Sequence, residues 1–239
     1  MLIATASLAG RRWGHAISGW LVGIPFTSGP ITLFLFLDHG AAFATDAAIG
    51  SMLGIFATIA WAVAYSALAR RGAGLLPSVL AGLSVFAMVG TAVHELAIGP
   101  LVLCAVLVIV LLVAIWLSPS QQTSPGVHMP WWDLPGRMML ATALVLAITG
   151  SATVMGPRLA GLLATIPLYA SILAAFAHTL VGPSAAIGVW RGLLFGLFGF
   201  GAFYLTLALS LEPLGPTAFA VAIAAAVVMQ AATLRIMRG

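Results

Sequence analysis

Charge is what this sequence has least of. Only 6% of its 239 residues are Asp, Glu, Lys or Arg, while 62% are hydrophobic. Soluble domains carry about 25% charged residues, because a surface facing water needs them. A chain this poor in charge cannot cover such a surface, so soluble enzymes and disordered chains are both excluded. Lysine is absent altogether. The nine bases are all arginine, against five acids, Asp38, Asp46, Glu95, Asp133 and Glu212. These arginines sit in ones and twos at the ends of apolar runs. The net charge of +4 therefore reports topology and not nucleic-acid binding. Cys104 is the one cysteine, so no disulfide forms within the chain, and its apolar run LVLCAVLVIV reads as packing. Also missing are H-E-x-x-H, any Cys/His metal cluster, G-x-S-x-G and a Walker loop. No catalytic site, metal or cofactor is expected, and the chain does not read as an enzyme.

Long apolar runs are what the sequence does have. Eight of them are long enough to span a bilayer: 14–37, 43–69, 74–93, 97–117, 137–155, 158–181, 185–209 and 214–234. Only a helix satisfies its own backbone in hydrocarbon, so each is expected to be helical. The fold class is all-α, a polytopic transmembrane bundle of about eight helices. Breaks are expected at Asp38-His39-Gly40, Arg70-Arg71-Gly72, Gly99-Pro100, Gly156-Pro157-Arg158, Gly182-Pro183 and Glu212-Pro213. The opening MLIATASLAG is too short to span, and Arg11 and Arg12 follow it where a cleavable signal would have them first. It reads as an interfacial segment or the remainder of a shortened helix. A polar, proline-rich stretch at 118–136 links a first membrane half (1–117) to a second (137–239), with Trp131 and Trp132 at the membrane interface. With eight spans, every arginine except Arg158 falls on the side of the two termini. That side is then cytoplasmic and the membrane the bacterial inner membrane.

Shifted by 142 residues, the chain matches itself. Between 14–65 and 156–207, 12 of 52 positions are identical without a gap. Half of these are Gly or Pro: Gly14/Gly156, Gly19/Gly161, Pro25/Pro167, Gly40/Gly182, Gly50/Gly192 and Gly54/Gly196. The copies start in the first and sixth spans, five spans apart. An odd displacement turns the second copy over, giving an inverted-topology repeat of the kind found in secondary transporters.

Pro25 and Pro167 lie near the middles of their spans, where a proline removes a backbone hydrogen bond and clashes with the preceding turn. Beside them stand Thr27, Ser28 and Pro30, and Thr165, Tyr169 and Ser171. Broken helices with hydroxyls in matched places point to a substrate site, while local repair of a kink by Ser and Thr is the structural alternative. Among ionisable residues, His178 suits a proton relay or a headgroup contact. Arg191 suits an ion pair or proton relay, or snorkelling to phosphate. Arg158 suits an ion pair with outer acids or an anionic substrate. Asp46 begins the second span and suits a cap or a partner for Arg158. Gly50-x-x-x-Gly54 and Gly192-x-x-x-Gly196 suit close packing inside the bundle or a homodimer interface.

Arg158-Leu-Ala-Gly-Leu-Leu-Ala-Thr-Ile-Pro167, then Trp190-Arg-Gly-Leu-Leu-Phe-Gly-Leu-Phe-Gly199 and Phe203-Tyr-Leu205, resembles GlpM-type small bacterial membrane proteins. The resemblance covers 136–239 and implies a four-helix unit. The first half keeps Gly19-Trp-Leu-Val-Gly-Ile-Pro25 but lacks the arginines, so the chain resembles a degenerate fused pair. The expected function is a secondary transporter or permease for a small solute, the halves rocking about Pro25 and Pro167. The alternative is a membrane assembly or accessory protein. The lipid bilayer is the expected partner.

Overall fold

The computed structural model describes residues 2–26, 28–93, 96, 98–118, 135–136, 138–139, 142–143 and 166–238. The elements of these residues are α1 (Leu2–Trp13), α2 (His15–Val22), α3 (Ser28–His39), α4 (Ala41–Arg70), α5 (Leu75–Val93), α6 (Pro100–Leu117), α7 (Leu168–Leu180), α8 (Pro183–Leu214) and α9 (Thr217–Arg238). Five of them, α4, α5, α6, α8 and α9, are long and apolar enough to cross a bilayer. The chain is thus a multi-pass membrane protein, helical in all its described elements, whose apolar outer surface meets lipid. The span at 137–155 and the first part of 158–181 lie almost wholly outside the described residues, as do Trp131 and Trp132.

Local chemistry sets the helix ends. Pro100 and Pro183 open α6 and α8, where a missing N–H costs nothing. Gly72, at φ +81°, closes α4: its N–H and that of Ala73 return to the carbonyls of Ala69 and Leu68. The run 14–37 is broken beside Pro25, as its mid-span proline suggested, into α2 and α3, with residues 23–26 outside either helix. Two expectations need correction. Asp46 is not at the start of its helix, because Gly40 caps α4 and leaves Asp46 exposed in the second turn. Glu212-Pro213 does not end α8. A proline one residue from the terminus forfeits a single bond, the Gly215 N–H still reaches the Leu211 carbonyl, and the chain turns only at Gly215, φ +55°. The N-terminal segment is helical, and α1 buries Ile3, Ala6, Ser7 and Ala9 against the bundle.

The centre of the bundle is α8, which packs against α2, α4, α6, α7 and α9. Its direction relative to the others follows from contact pairs. On α2, Gly19 meets Val189 and Gly23 meets Gly196, so both numbers rise together and α2 runs parallel to α8. Gly29 beside Phe203, and Thr32 beside Tyr204, continue the same course into α3. On α4, Tyr65 packs on Trp190 while Ile55 lies near Gly201, so α4 and α8 run antiparallel. Helix α9 returns alongside, with Trp20 bonded to Thr233 and Phe36 packed on Phe219. These courses put Arg11, Arg12, Arg70, Arg71, Arg191 and Arg235 toward one end of the bundle. Asp38, Asp46 and Glu212 fall at the other.

In lipid, apolar surface alone does not drive helices together, and small residues that admit close approach take over. A Cβ on Gly19 would run into the Val189 carbonyl, one on Gly192 into the Ala16 carbonyl, and one on Gly196 would come within 2.6 Å of the Trp20 carbonyl. Gly199 accommodates the Gln230 side chain, and Gly201 a Leu107 methyl 3.1 Å from where its Cβ would be. The α8 glycines are therefore occupied by contacts within this chain. Among the described residues, nothing lies within 4 Å of a Cβ on Gly50. Cys104 is free and packs in the core formed by α4, α6, α8 and α9.

Candidate functional site

The two proline breaks share one backbone pattern. Across Pro25, the Phe26 N–H donates to the Ile24 carbonyl at 2.8 Å, and the Gly29 N–H to the Pro25 carbonyl at 3.0 Å. Across Pro167, the Leu168 N–H donates to the Ile166 carbonyl at 2.7 Å, and the Ser171 N–H to the Pro167 carbonyl at 2.9 Å. Each partner has its counterpart 142 residues away. The turn is an inverse γ-turn, the way a chain turns where the proline ring forbids the next helical bond; Pro167 sits at φ −76°, ψ 61°. Downstream, Gly40 (φ 86°, ψ 178°) caps α4 and Gly182 (φ 124°, ψ 174°) caps α8. That backbone region is open to glycine almost alone. The carbonyls of Gly40 and Gly182 then accept from Ala44 and Ala186, again a matched pair.

The side chains around the breaks separate into groups. Pro25 is buried, and Ser28 opens α3 half-buried. The Thr32 hydroxyl returns to the Ser28 carbonyl at 3.0 Å and lies 3.3 Å from the Tyr204 hydroxyl, with Ser28 and Ser51 completing a ring of hydroxyls. Tyr204 is fully buried on α8. Pro30 is exposed and takes no part in this ring. In the second break Pro167 and Tyr169 are half-buried, Tyr169 against the core, and the Ser171 hydroxyl donates to the Pro167 carbonyl at 2.9 Å. That last bond is the local repair of a proline kink. Helix α7 packs on α2, which precedes the first break. Thr27, Thr165 and Arg158 lie outside the described residues.

His178 is half-buried on α7 and its Nδ1 stands 2.7 Å from the Tyr65 hydroxyl on α4. Tyr65 is buried against Trp190, whose ring is 6.0 Å from Trp61. The indole N–H groups of Trp61 and Trp190 and the Ser66 hydroxyl are buried without a hydrogen-bond partner among the described residues. Tyr65 projects from the long helix α4 and bonds α7, while Tyr204 projects from the long helix α8 and bonds α3.

Arg191 has a structural task. Its guanidinium donates to the carbonyls of Ile115, at 2.9 Å, and Ser118, and lies over the Phe195 ring. Arg70 donates to the Leu117 carbonyl at 2.7 Å. Two arginines thus close the C-terminus of α6, where orphan carbonyls and the helix dipole both favour a cation. Asp46 is exposed at the opposite end. No group of His, Cys, Asp and Glu able to hold a metal is found among the described residues.

Sequence reasoning missed Tyr65, Tyr204, Thr32 and Ser51. It also missed a buried chain beside the first break, in which Trp20 Nε1 donates to Thr233 Oγ1 (3.1 Å), Thr233 to the Gln230 carbonyl (3.1 Å), and Gln230 Nε2 to the Gly196 carbonyl (3.1 Å). A signal existed: a glutamine or tyrosine inside an apolar span needs a polar partner. Comparison of the chain with protein-family models, curated proteins and solved structures finds no match.

Proposed function

We propose that this membrane protein is a secondary transporter or permease for a small solute, built as an inverted repeat of two broken-helix hairpins. The observation that carries the reading is the pair of matched turns at Pro25 and Pro167, in copies whose long helices α4 and α8 run antiparallel. Half-broken helices with hydroxyls nearby, at equivalent places in inverted halves, are where such proteins hold substrate. Ser28, Ser171 and the hydroxyl ring around Tyr204 are the candidate contacts, and His178 held by Tyr65 is the candidate proton carrier. The arginine-bearing end fits the cytoplasmic face of a bacterial inner membrane by the positive-inside rule, with about eight spans in all. Resemblance to a fused pair of GlpM-type units agrees with this plan.

One observation favours the alternative of a non-transporting assembly or accessory protein. Next to the first break, α2 and α8 are packed so tightly that Gly19, Gly23, Gly192 and Gly196 have no room for a methyl group. In the transport reading this is a closed state that must open.

Labelling separates the two. In a Cys104→Ala background, which removes the one cysteine, Ser28→Cys and Ser171→Cys are each introduced and the protein is reconstituted in vesicles. A membrane-impermeant maleimide is then applied to either face. Transport predicts that both sites are alkylated, from whichever face is tested, as the site opens in turn to each. Protection of both sites from both faces would leave the breaks as packing devices and remove the transport reading.

A further inference from the structure

We propose that the cleft between α5 and α6 binds one anionic phospholipid, its acyl chain lying on α4 and its phosphate at Arg70 and Arg71. This inference does not depend on transport. Helices α5 and α6 each pack along α4 but scarcely on each other. They leave a cavity of about 440 Å³, with Val63 and Ala64 of α4 on its floor, Val89 and Val93 of α5 on one wall, and Val110 and Leu117 of α6 on the other. Every described side chain lining it is hydrocarbon, so an apolar chain matches the wall and a polar solute does not.

The end of the cleft at Leu117 is different. The Leu117 carbonyl accepts a bond from Arg70 Nη1 at 2.7 Å, which uses one of the five N–H groups of a guanidinium. Arg71 follows in the exposed turn that ends α4. The other carbonyls at that helix end, Ile115 and Ser118, are engaged by Arg191, so the C-terminal dipole of α6 is already answered. Asp38, Asp46 and Glu212 stand at the far end of the bundle. Positive charge at the mouth of an apolar cleft calls for a molecule with an anionic head and a hydrocarbon tail, and guanidinium forks suit a phosphate.

Native mass spectrometry of the full chain tests this. Phosphatidylglycerol and phosphatidylcholine with identical acyl chains are titrated onto the delipidated protein. One phosphatidylglycerol should bind in clear preference to phosphatidylcholine. Arg71→Gln, a change in an exposed turn, should weaken phosphatidylglycerol roughly fivefold and leave phosphatidylcholine unchanged. Ala64→Phe, which fills the floor of the cleft, should remove the bound lipid altogether. Equal binding of the two lipids to the unmodified chain would overturn headgroup recognition. Undiminished phosphatidylglycerol binding by Ala64→Phe would put the lipid somewhere else, and no adduct at all would mean that the cleft is filled by the chain itself. Either result ends the proposal.

Discussion

Gly192→Leu is expected to yield no monodisperse protein, and Gly192→Ala to unfold at a far lower temperature than the unmodified chain. The cause is backbone against backbone. A Cβ at 192 meets the Ala16 carbonyl and lies within 2.9 Å of the Ala16 Cα, and neither can rotate away as a side chain would. Overpacking a core typically costs about 1–3 kcal/mol, and the upper end or beyond applies where the obstacle is main chain. The loss does not stop at one contact. If α2 is lifted from α8, Trp20 no longer reaches Thr233 on α9, and the buried chain from Trp20 to Gln230 loses its first link. One turn away stands an internal control. A Cβ on Gly188 would sit 3.5 Å from the His15 Cβ, an ordinary contact, so Gly188→Ala should melt close to the unmodified protein. Thermal unfolding in detergent, followed by size-exclusion profiles, distinguishes the two. Equal tolerance at 188 and 192 would contradict the close crossing.

The second large effect is expected at the prolines. Pro25→Ala with Pro167→Ala should reduce alkylation of Ser28→Cys and Ser171→Cys by tenfold or more, and abolish any solute flux the chain supports. The double change restores two backbone donors and removes two ring clashes, each costing roughly 3 kcal/mol in a helix interior. The helices can then run on through 23–27 and past 167, so melting should stay level or rise while access falls. Stability and access moving in opposite directions is the signature of breaks retained for function. If the double variant melts lower and labels as before, the prolines serve packing only.

Much of this architecture can be read from residue order, and the reasons it stops are physical. Span ends are legible where a terminus is local chemistry, as at Gly72, Pro100 and Gly182-Pro183. Pro213 misled because its effect depends on how near the helix end it falls, which the sequence does not display. The break at Pro25 and its partner at Pro167 are legible from matched spacing, because backbone geometry follows residue type there. What the glycines touch is not. Gly50 and Gly192 occupy equivalent places in identical motifs, yet only Gly192 meets the crossing of α2. The same holds for Arg191, which looks like an ion-pair or proton-relay residue until the end of α6, more than seventy positions earlier, is seen beside it. Tyr65 with His178, and Tyr204 with Thr32, are separated by 113 and 172 residues, and no periodicity links such pairs.

One measurement bears on the whole account. Positions 42 and 184 correspond under the 142-residue shift, just past the capping glycines; Ala42 is exposed and Ser184 half-buried. Single cysteines are placed there in the Cys104→Ala background and probed in sealed vesicles of known orientation with a reagent that cannot cross the bilayer. An inverted repeat requires Ala42→Cys and Ser184→Cys to be labelled from opposite faces, with 184 on the face of the arginines. Labelling of both from the same face would mean that the two hairpins enter the membrane in the same sense, and the transport reading would lose its foundation.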